Sequence, residues 1–121
     1  ADTIINWSKK INLEGNKIPI IIGLPGIAKL STLLKYSLSC GIGNSVNFLK
    51  KQGSNVLNLV RTQEPNHLVR KLSNSEEALK ENNIEGVHIY PLGGIRKSSD
   101  WANAIIDEKI KLTTNGFNVC Y

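Results

Sequence analysis

The sequence predicts an α/β fold of parallel βα units, and an incomplete one. Two β-branched runs predict it: Lys17-Ile-Pro-Ile-Ile-Ile-Gly23 and Val87-His-Ile-Tyr90. Each is flanked by stretches with helical periodicity, and strands that alternate with helices form parallel units. Both runs also leave through glycine and proline, at Gly23-Leu24-Pro25-Gly26 and at Pro91-Leu92-Gly93-Gly94. Two strands do not make a stable parallel sheet, because such sheets are covered on both faces and have several strands. The 121 residues are therefore expected to be the last part of a larger α/β protein, or a chain that needs a partner to cover its strands.

The first element is a helix over residues 2–11. Asp2 and Thr3 are candidate N-caps, Ile4, Trp7 and Ile11 form one stripe, and Gly15-Asn16 ends it. The run 17–23 follows, its unbroken apolar character predicting burial on both faces, with Pro19 at its start. Residues 23–26 then form a tight loop. A helix over 28–39 carries Ile27, Leu30, Leu34 and Leu38 inward and ends at Gly41. Gly43-Asn44-Ser45 breaks the chain and caps a short helix through Lys51, with Val46 and Leu49 inward. Residues 55–62 read as helix, and so do 68–82, interrupted near Ser73-Asn74. The second strand is 87–90. Ser98 or Ser99 caps a last helix over 100–112, with Trp101, Ile105 and Leu112 on one side. Residues 1–112 make the body, and 113–121 a polar tail with little regular structure.

Composition narrows the function. The chain has 15 Lys+Arg against 10 Asp+Glu, a net charge of +5. The cations are mostly lysine, spread singly or in pairs, whereas nucleic-acid binders favour arginine clustered on one face. Abundant Ile, Asn and Lys fit an AT-rich genome, which weakens any functional meaning of the charge. No nucleic-acid partner is expected. The longest apolar run, Ile20 to Ile22, is far short of the ~20 residues of a membrane span. Two cysteines, Cys40 and Cys120, build no disulfide or zinc framework, so the cytoplasm is the expected compartment. The chain has no Met and begins with Ala1, which fits a processed start or a cut inside a longer protein.

No catalytic constellation stands out, and no metal site. His67 and His88 lack metal-ligand spacing, and His88 reads as a core or near-core side chain. Tyr90, closing its strand, reads as a residue of a pocket rim. Cys40 has no basic neighbour to activate it and reads as structural. Cys40-Gly-Ile-Gly-Asn-Ser45 follows a helix rather than a strand, so it is not a dinucleotide fingerprint. The glycine loops admit two readings: tight turns alone, or places where backbone approaches a ligand closely.

The stretch Ile18-Pro-Ile-Ile-Ile-Gly-Leu-Pro-Gly-Ile27, with residues 30–36, Cys40-Gly-Ile-Gly-Asn-Ser45 and Phe48-Leu49, resembles methylenetetrahydrofolate reductase. More narrowly, it resembles a bacterial branch of short reductase-like proteins with a PGxxxLxxLLxxxxxCGxGxSxxFL stretch. Gly86-Val-His-Ile-Tyr-Pro-Leu-Gly-Gly94 followed by Trp101-Ala102 is similar to the last strand and helix of that branch.

The resemblance implies the C-terminal portion, about the last two βα units, of a (β/α)8 TIM barrel. The barrel carries FAD and passes a hydride from NAD(P)H to methylenetetrahydrofolate. Residues 18–22 would be its seventh strand and 87–90 its eighth. The family's catalytic glutamate, most of its flavin contacts and its folate-binding glutamine lie on earlier strands, so no catalytic residue is expected here and the isolated chain is expected to be inactive.

The resemblance places substrate binding at Gly23, Leu24, Pro25, Gly26, Gly43, Asn44, Ser45 and Phe48, with Lys51 an alternative to Phe48. It places cofactor binding at Leu92, Gly93, Gly94 and Arg96. The implied partners are the folate substrate and the rest of the barrel, from the same or another chain, with a homo-oligomer also open. The rival readings are a non-catalytic split or truncated subunit and a small anion-binding module.

Overall fold

The computed structural model describes residues 1–41 and 60–121. Gly43, Asn44, Ser45, Phe48 and Lys51, and the helices expected over 45–51 and most of 55–62, lie outside the described residues.

Helix α1 spans Asp2–Leu13. Its N-cap is Ala1 rather than Asp2 or Thr3. Its end is closed by backbone bonds from Gly15 to Asn12 and from Asn16 to Ile11, both 3.0 Å. This Schellman pattern needs a left-handed residue after the cap, and Gly15 supplies it at φ +98°. The buried stripe is rotated from the expected one. Ser8 is fully buried and Trp7 is 51% exposed, while Ile4 packs on the core. Ser8 tolerates this because its hydroxyl donates to the Ile5 carbonyl at 2.9 Å.

Strand β1 (Ile20–Pro25) is followed by the short strand β2 (Ala28–Lys29) and helix α2 (Leu30–Ser39). Gly41, at φ +68°, follows α2 as expected. Strand β3 (Thr62–Gln63) pairs antiparallel with β2. Two helices, α3 (Asn66–Ser73) and α4 (Glu76–Glu81), are separated near Ser73-Asn74 as the sequence predicts. Strand β4 runs over Ile84–Tyr90, and helix α5 over Ile95–Ile106. The last helix thus begins five residues earlier than expected. Gly94, not Ser98 or Ser99, takes the N-cap position at φ +114°. A hairpin, β5 (Ile110–Thr113) and β6 (Gly116–Val119), closes the chain.

The hairpin corrects the expectation of an unstructured tail. Its strands are short and alternate apolar and polar residues around Asn115-Gly116, and tertiary contacts hold them. Asn66 donates to the Phe117 carbonyl at 2.9 Å and accepts from the Trp101 indole at 2.7 Å. The Phe117 ring stacks on Trp101 with centroids 6.4 Å apart.

Strands β1 and β4 are parallel neighbours, in register from Ile21 against Gly86 to Pro25 against Tyr90. Among the described residues they pair only with each other. Helices cover one face. There Ile22, Leu24, Leu72 and Ile84 form one core, and Ile27, Trp101 and Phe117 a second. Val69 and Ile89 pack on the second, and both also touch the first.

The opposite face, with Ile21, Gly23, Pro25, His88 and Tyr90, is open. This corrects the expectation that β1 is buried on both faces: Ile21 is 56% exposed. The continuous apolar run lacks, among the described residues, the second layer that would cover it. His88 is also exposed, against the expectation of a core position, because it sits at the open-face position paired with Gly23. The fold is thus mixed α/β, with helices and small sheets.

Candidate functional site

The parallel register of β1 and β4 brings both C-terminal ends to the same edge, the edge at which parallel α/β folds place ligands. The two exit segments clasp each other. The Gly26 amide and the Leu92 amide both donate to the Tyr90 carbonyl at 2.8 Å. Gly93 lies directly on the Ile27–Ala28 backbone, where a methyl group would overlap the Ile27 carbonyl and stand 2.7 Å from the Ala28 Cα. Gly26 faces Ser98, where a methyl group would stand 2.5 Å from the Ser98 Oγ. Both glycines are therefore required for packing of loop on loop and loop on helix.

Beside this clasp is an apolar cleft of about 470 Å3. Gly23 and Pro25 form its floor from β1, and Tyr90 and Leu92 one side from β4 and its exit. Leu33, Tyr36, Ser37 and Cys40 form the other side. These four lie on one face of α2, at i, i+3, i+4 and i+7. The Tyr90 ring lies over Gly23, where a methyl group would stand 2.6 Å from the ring edge. His88 meets that ring edge-on with centroids 4.6 Å apart. The cleft therefore has two aromatic walls and an apolar floor, and its volume is that of a small-ligand pocket.

Of the expected substrate residues, Gly23 and Pro25 line this cleft. Leu24 does not. It is 1% exposed and belongs to the helix-covered core, because alternation along β1 turns it to the opposite face. Gly26 is buried in the clasp and lacks the positive φ that a type II turn requires. β1 itself extends through Pro25, so the tight loop expected over 23–26 is displaced. Of the expected cofactor residues, Leu92 reaches the cleft. Gly93 packs in the clasp and, with Leu92, also lines a second cleft beside Lys29 and Lys97, and Gly94 is the α5 N-cap with open space beside it. The Arg96 side chain is 94% exposed on α5 and lies 4.0 Å from Asp100.

The residues that sequence reasoning misses are Leu33, Tyr36 and Ser37, and Cys40, expected as a buried structural thiol, is exposed. A signal was present in their helical spacing, but it shares α2 with the Leu30, Leu34 and Leu38 stripe, and that stripe was read as the packing face. In the structure Leu30 is buried and Leu38 is exposed.

Among the described residues no group of three His, Cys, Asp or Glu could hold a metal ion, and no helix is long and apolar enough to cross a membrane. No protein-family model matches the chain.

Proposed function

We propose that this chain forms the last two βα units of a methylenetetrahydrofolate reductase-like (β/α)8 barrel and supplies one wall of its substrate cleft. One observation carries the reading. Two parallel strands, adjacent and in register, end together at an apolar cleft walled by the helix that follows the first. Parallel neighbours with a cleft at their C-terminal ends support this reading, because barrel units carry their ligand edge there. The helix-covered face, with Ile22 and Leu24, would be the outside of the barrel, and α2 would close the C-terminal end of the open face at Gly23 and Pro25. The sequence resemblance supplies the chemistry. In such reductases a hydride passes from NAD(P)H through FAD to methylenetetrahydrofolate.

The chain's own residues fit a flat ring better than a whole flavin dinucleotide. Tyr36 and Tyr90 offer aromatic walls, and Leu33, Pro25 and Leu92 exclude water from a ring between them. Of the FAD contacts expected at Leu92, Gly93, Gly94 and Arg96, Leu92 and Gly93 share a cleft with Lys29 and Lys97, and Gly94 and Arg96 do not line it. Gly93 is closed by Ile27, and the Arg96 side chain stands in solvent beside Asp100. The role we assign to this chain is therefore to bind and orient the pterin or nicotinamide ring, with the flavin held by earlier strands. Alone, the chain is inactive. The cytoplasm remains the proposed compartment, from the cysteine usage of the sequence.

The test is reconstitution. The chain is co-expressed with the first six βα units of a reductase-like barrel from the same branch. NAD(P)H-dependent reduction of methylenetetrahydrofolate is then measured for the pair and for each part alone. Activity from the pair only, lowered by Leu33→Lys at unchanged FAD content, is the expected result. A soluble, flavin-loaded pair without activity and without folate binding would sink the reading.

A further inference from the structure

Among the described residues, two glycines, Gly86 and Gly116, meet no conformational or packing requirement. Gly15, Gly41 and Gly94 hold left-handed backbone, and Gly23, Gly26 and Gly93 meet atoms that leave no room for a methyl group. The φ of Gly116 lies outside the left-handed region. A methyl group there would stand 3.4 Å from the His67 Cα, at van der Waals distance. What glycine supplies at 116 is chemical. Asn115-Gly116 is the only Asn-Gly step in the sequence. With no Cβ on the second residue, the Gly116 nitrogen meets little steric hindrance in approaching the Asn115 Cγ. Asn115 is exposed at the tip of the β5–β6 hairpin, and Gly116 is buried against the start of α3.

The closed ladder holds that nitrogen. The Cys120 amide donates to the Lys109 carbonyl at 2.8 Å. Hydrogen-bonded pairs alternate along an antiparallel ladder, so Lys111 with Asn118 and Thr113 with Gly116 are the bonded pairs. The Gly116 N–H therefore donates to the Thr113 carbonyl, and the nitrogen is engaged until the hairpin opens. A lone two-stranded hairpin is marginal in water. This one is held by the Asn66 bond to the Phe117 carbonyl, at 2.9 Å, and by Phe117 against Trp101. We propose that Asn115 is a self-modification site, converted to aspartate and β-linked aspartate when the hairpin opens, and that the β-linked product stops it closing again. The Gly116 nitrogen gives up its proton and bonds to the Asn115 Cγ. The bond from Cγ to the side-chain nitrogen breaks, and that nitrogen leaves with the proton as ammonia. Water then opens the cyclic imide at either carbonyl, and no electrons change hands. Opening at the main-chain carbonyl of Asn115 routes the backbone through its Cβ and Cγ. The turn is then one atom longer, Thr113 and Gly116 lose their register, and a carboxylate stands where an amide was. Neither the site nor its trigger depends on the reductase reading.

The experiment incubates the full chain at mildly alkaline pH. A carboxyl methyltransferase that methylates β-linked aspartate counts the product, and peptide mass mapping locates it. Conversion at Asn115 is expected in the wild-type chain. Asn66→Ala should raise its rate about tenfold, the size of one lost hydrogen bond to a buried group, because the hairpin then opens more often. Gly116→Ala should abolish it while the Trp101 fluorescence and the melt stay close to wild type, since nothing in the fold requires glycine there. Asn115→Gln leaves the backbone unchanged and disfavours the ring, so it should also abolish conversion, even if Gly116→Ala loosens the hairpin. In the converted chain the Lys111 and Asn118 amides should lose their exchange protection. The proposal is overturned if Asn115 stays an amide in both the wild type and Asn66→Ala, or if the two convert at the same rate. It is equally overturned if the β-linked product keeps the protection of those amides.

Discussion

The contact between Gly26 and Ser98 makes a quantitative prediction. The Ser98 Oγ is buried and has no hydrogen-bond partner, the only such side-chain atom among the described residues. The other buried polar side chains, Ser8 and Asn82, both donate to helix carbonyls. An unpaired buried hydroxyl costs roughly 1–3 kcal/mol, so Ser98→Ala should stabilise the chain by about 1 kcal/mol after the lost contacts are subtracted. Gly26→Ala acts in the other direction. Its methyl group would stand 2.5 Å from the Ser98 Oγ, 2.9 Å from the Ile89 Cγ2 and 3.1 Å from the Tyr90 carbonyl oxygen. Overpacking of this kind costs about 1–3 kcal/mol, and three close neighbours put it near the upper end. In the double variant the closest of the three atoms is gone. The two changes should therefore be coupled by about 1–2 kcal/mol, the double variant being more stable than the sum predicts. Urea unfolding followed by the fluorescence of buried Trp101 gives all four stabilities. Additivity within about 0.3 kcal/mol would refute the packing account. A destabilising Ser98→Ala would show that the hydroxyl has a partner after all.

Further outcomes follow from other contacts. Gly93→Ala should cost about 3 kcal/mol in the same assay, because every close neighbour of the new methyl group is backbone and cannot rotate away; a loss below about 0.5 kcal/mol would place the clasp elsewhere. Asn66→Ala should cost about 2–3 kcal/mol, because it strands the buried Trp101 indole N–H and frees Phe117 from α3. An unchanged melt and unchanged hairpin exchange rates would contradict that. The largely exposed Tyr121 should ionise above the usual range, through partial desolvation first and then through the charges of Glu64 and Asp100. A raised phenol pKa contributes stability below the unfolded value that is lost as pH rises through the folded one. The alkaline ultraviolet difference between wild type and Tyr121→Phe locates the midpoint, and a midpoint at the free-tyrosine value would contradict this. The open face at Ile21 should drive concentration-dependent self-association, visible by sedimentation, and Ile21→Lys should weaken it at least tenfold, given about 1.5–3 kcal/mol for burying an isoleucine. A monomer at all concentrations would refute it.

Local pattern accounts for the parts of the fold that were legible. The run Ile20-Ile21-Ile22 is bounded by Pro19 and Gly23 and is β-branched throughout, so its strand state needs no neighbour to declare it. The ends of α1 and α2 were legible for the same reason, since a left-handed glycine is a backbone requirement met within four residues. The hairpin at 110–119 was legible only in part. Ile110-Lys-Leu-Thr113 and Gly116-Phe-Asn-Val119 alternate apolar and polar residues around Asn115-Gly116, a hairpin signal that the helix expected through Leu112 overrides, and Asn66 and Trp101, which hold the hairpin, are distant in sequence.

The candidate site divides along the same line. The residue types at the strand exits, Gly23, Pro25 and Leu92, mark a place where backbone and ring can come close, and their position after β-branched runs puts them at one edge of a parallel pair. That much is a property of the sequence by itself, because it depends on chain geometry and side-chain size. Only the tertiary structure decided which of them face open space. Leu24 turns to the core because strand alternation gives every second residue to the helix-covered side. Gly26 packs on Ser98 of α5 and Gly93 on the Ile27–Ala28 backbone, and only hydrogen fits at either contact. Leu33 and Tyr36 enter the cleft because α2 lies with that face over β1. A helix's own spacing defines its faces, but what each face meets is set by the packing of elements that the sequence places far apart.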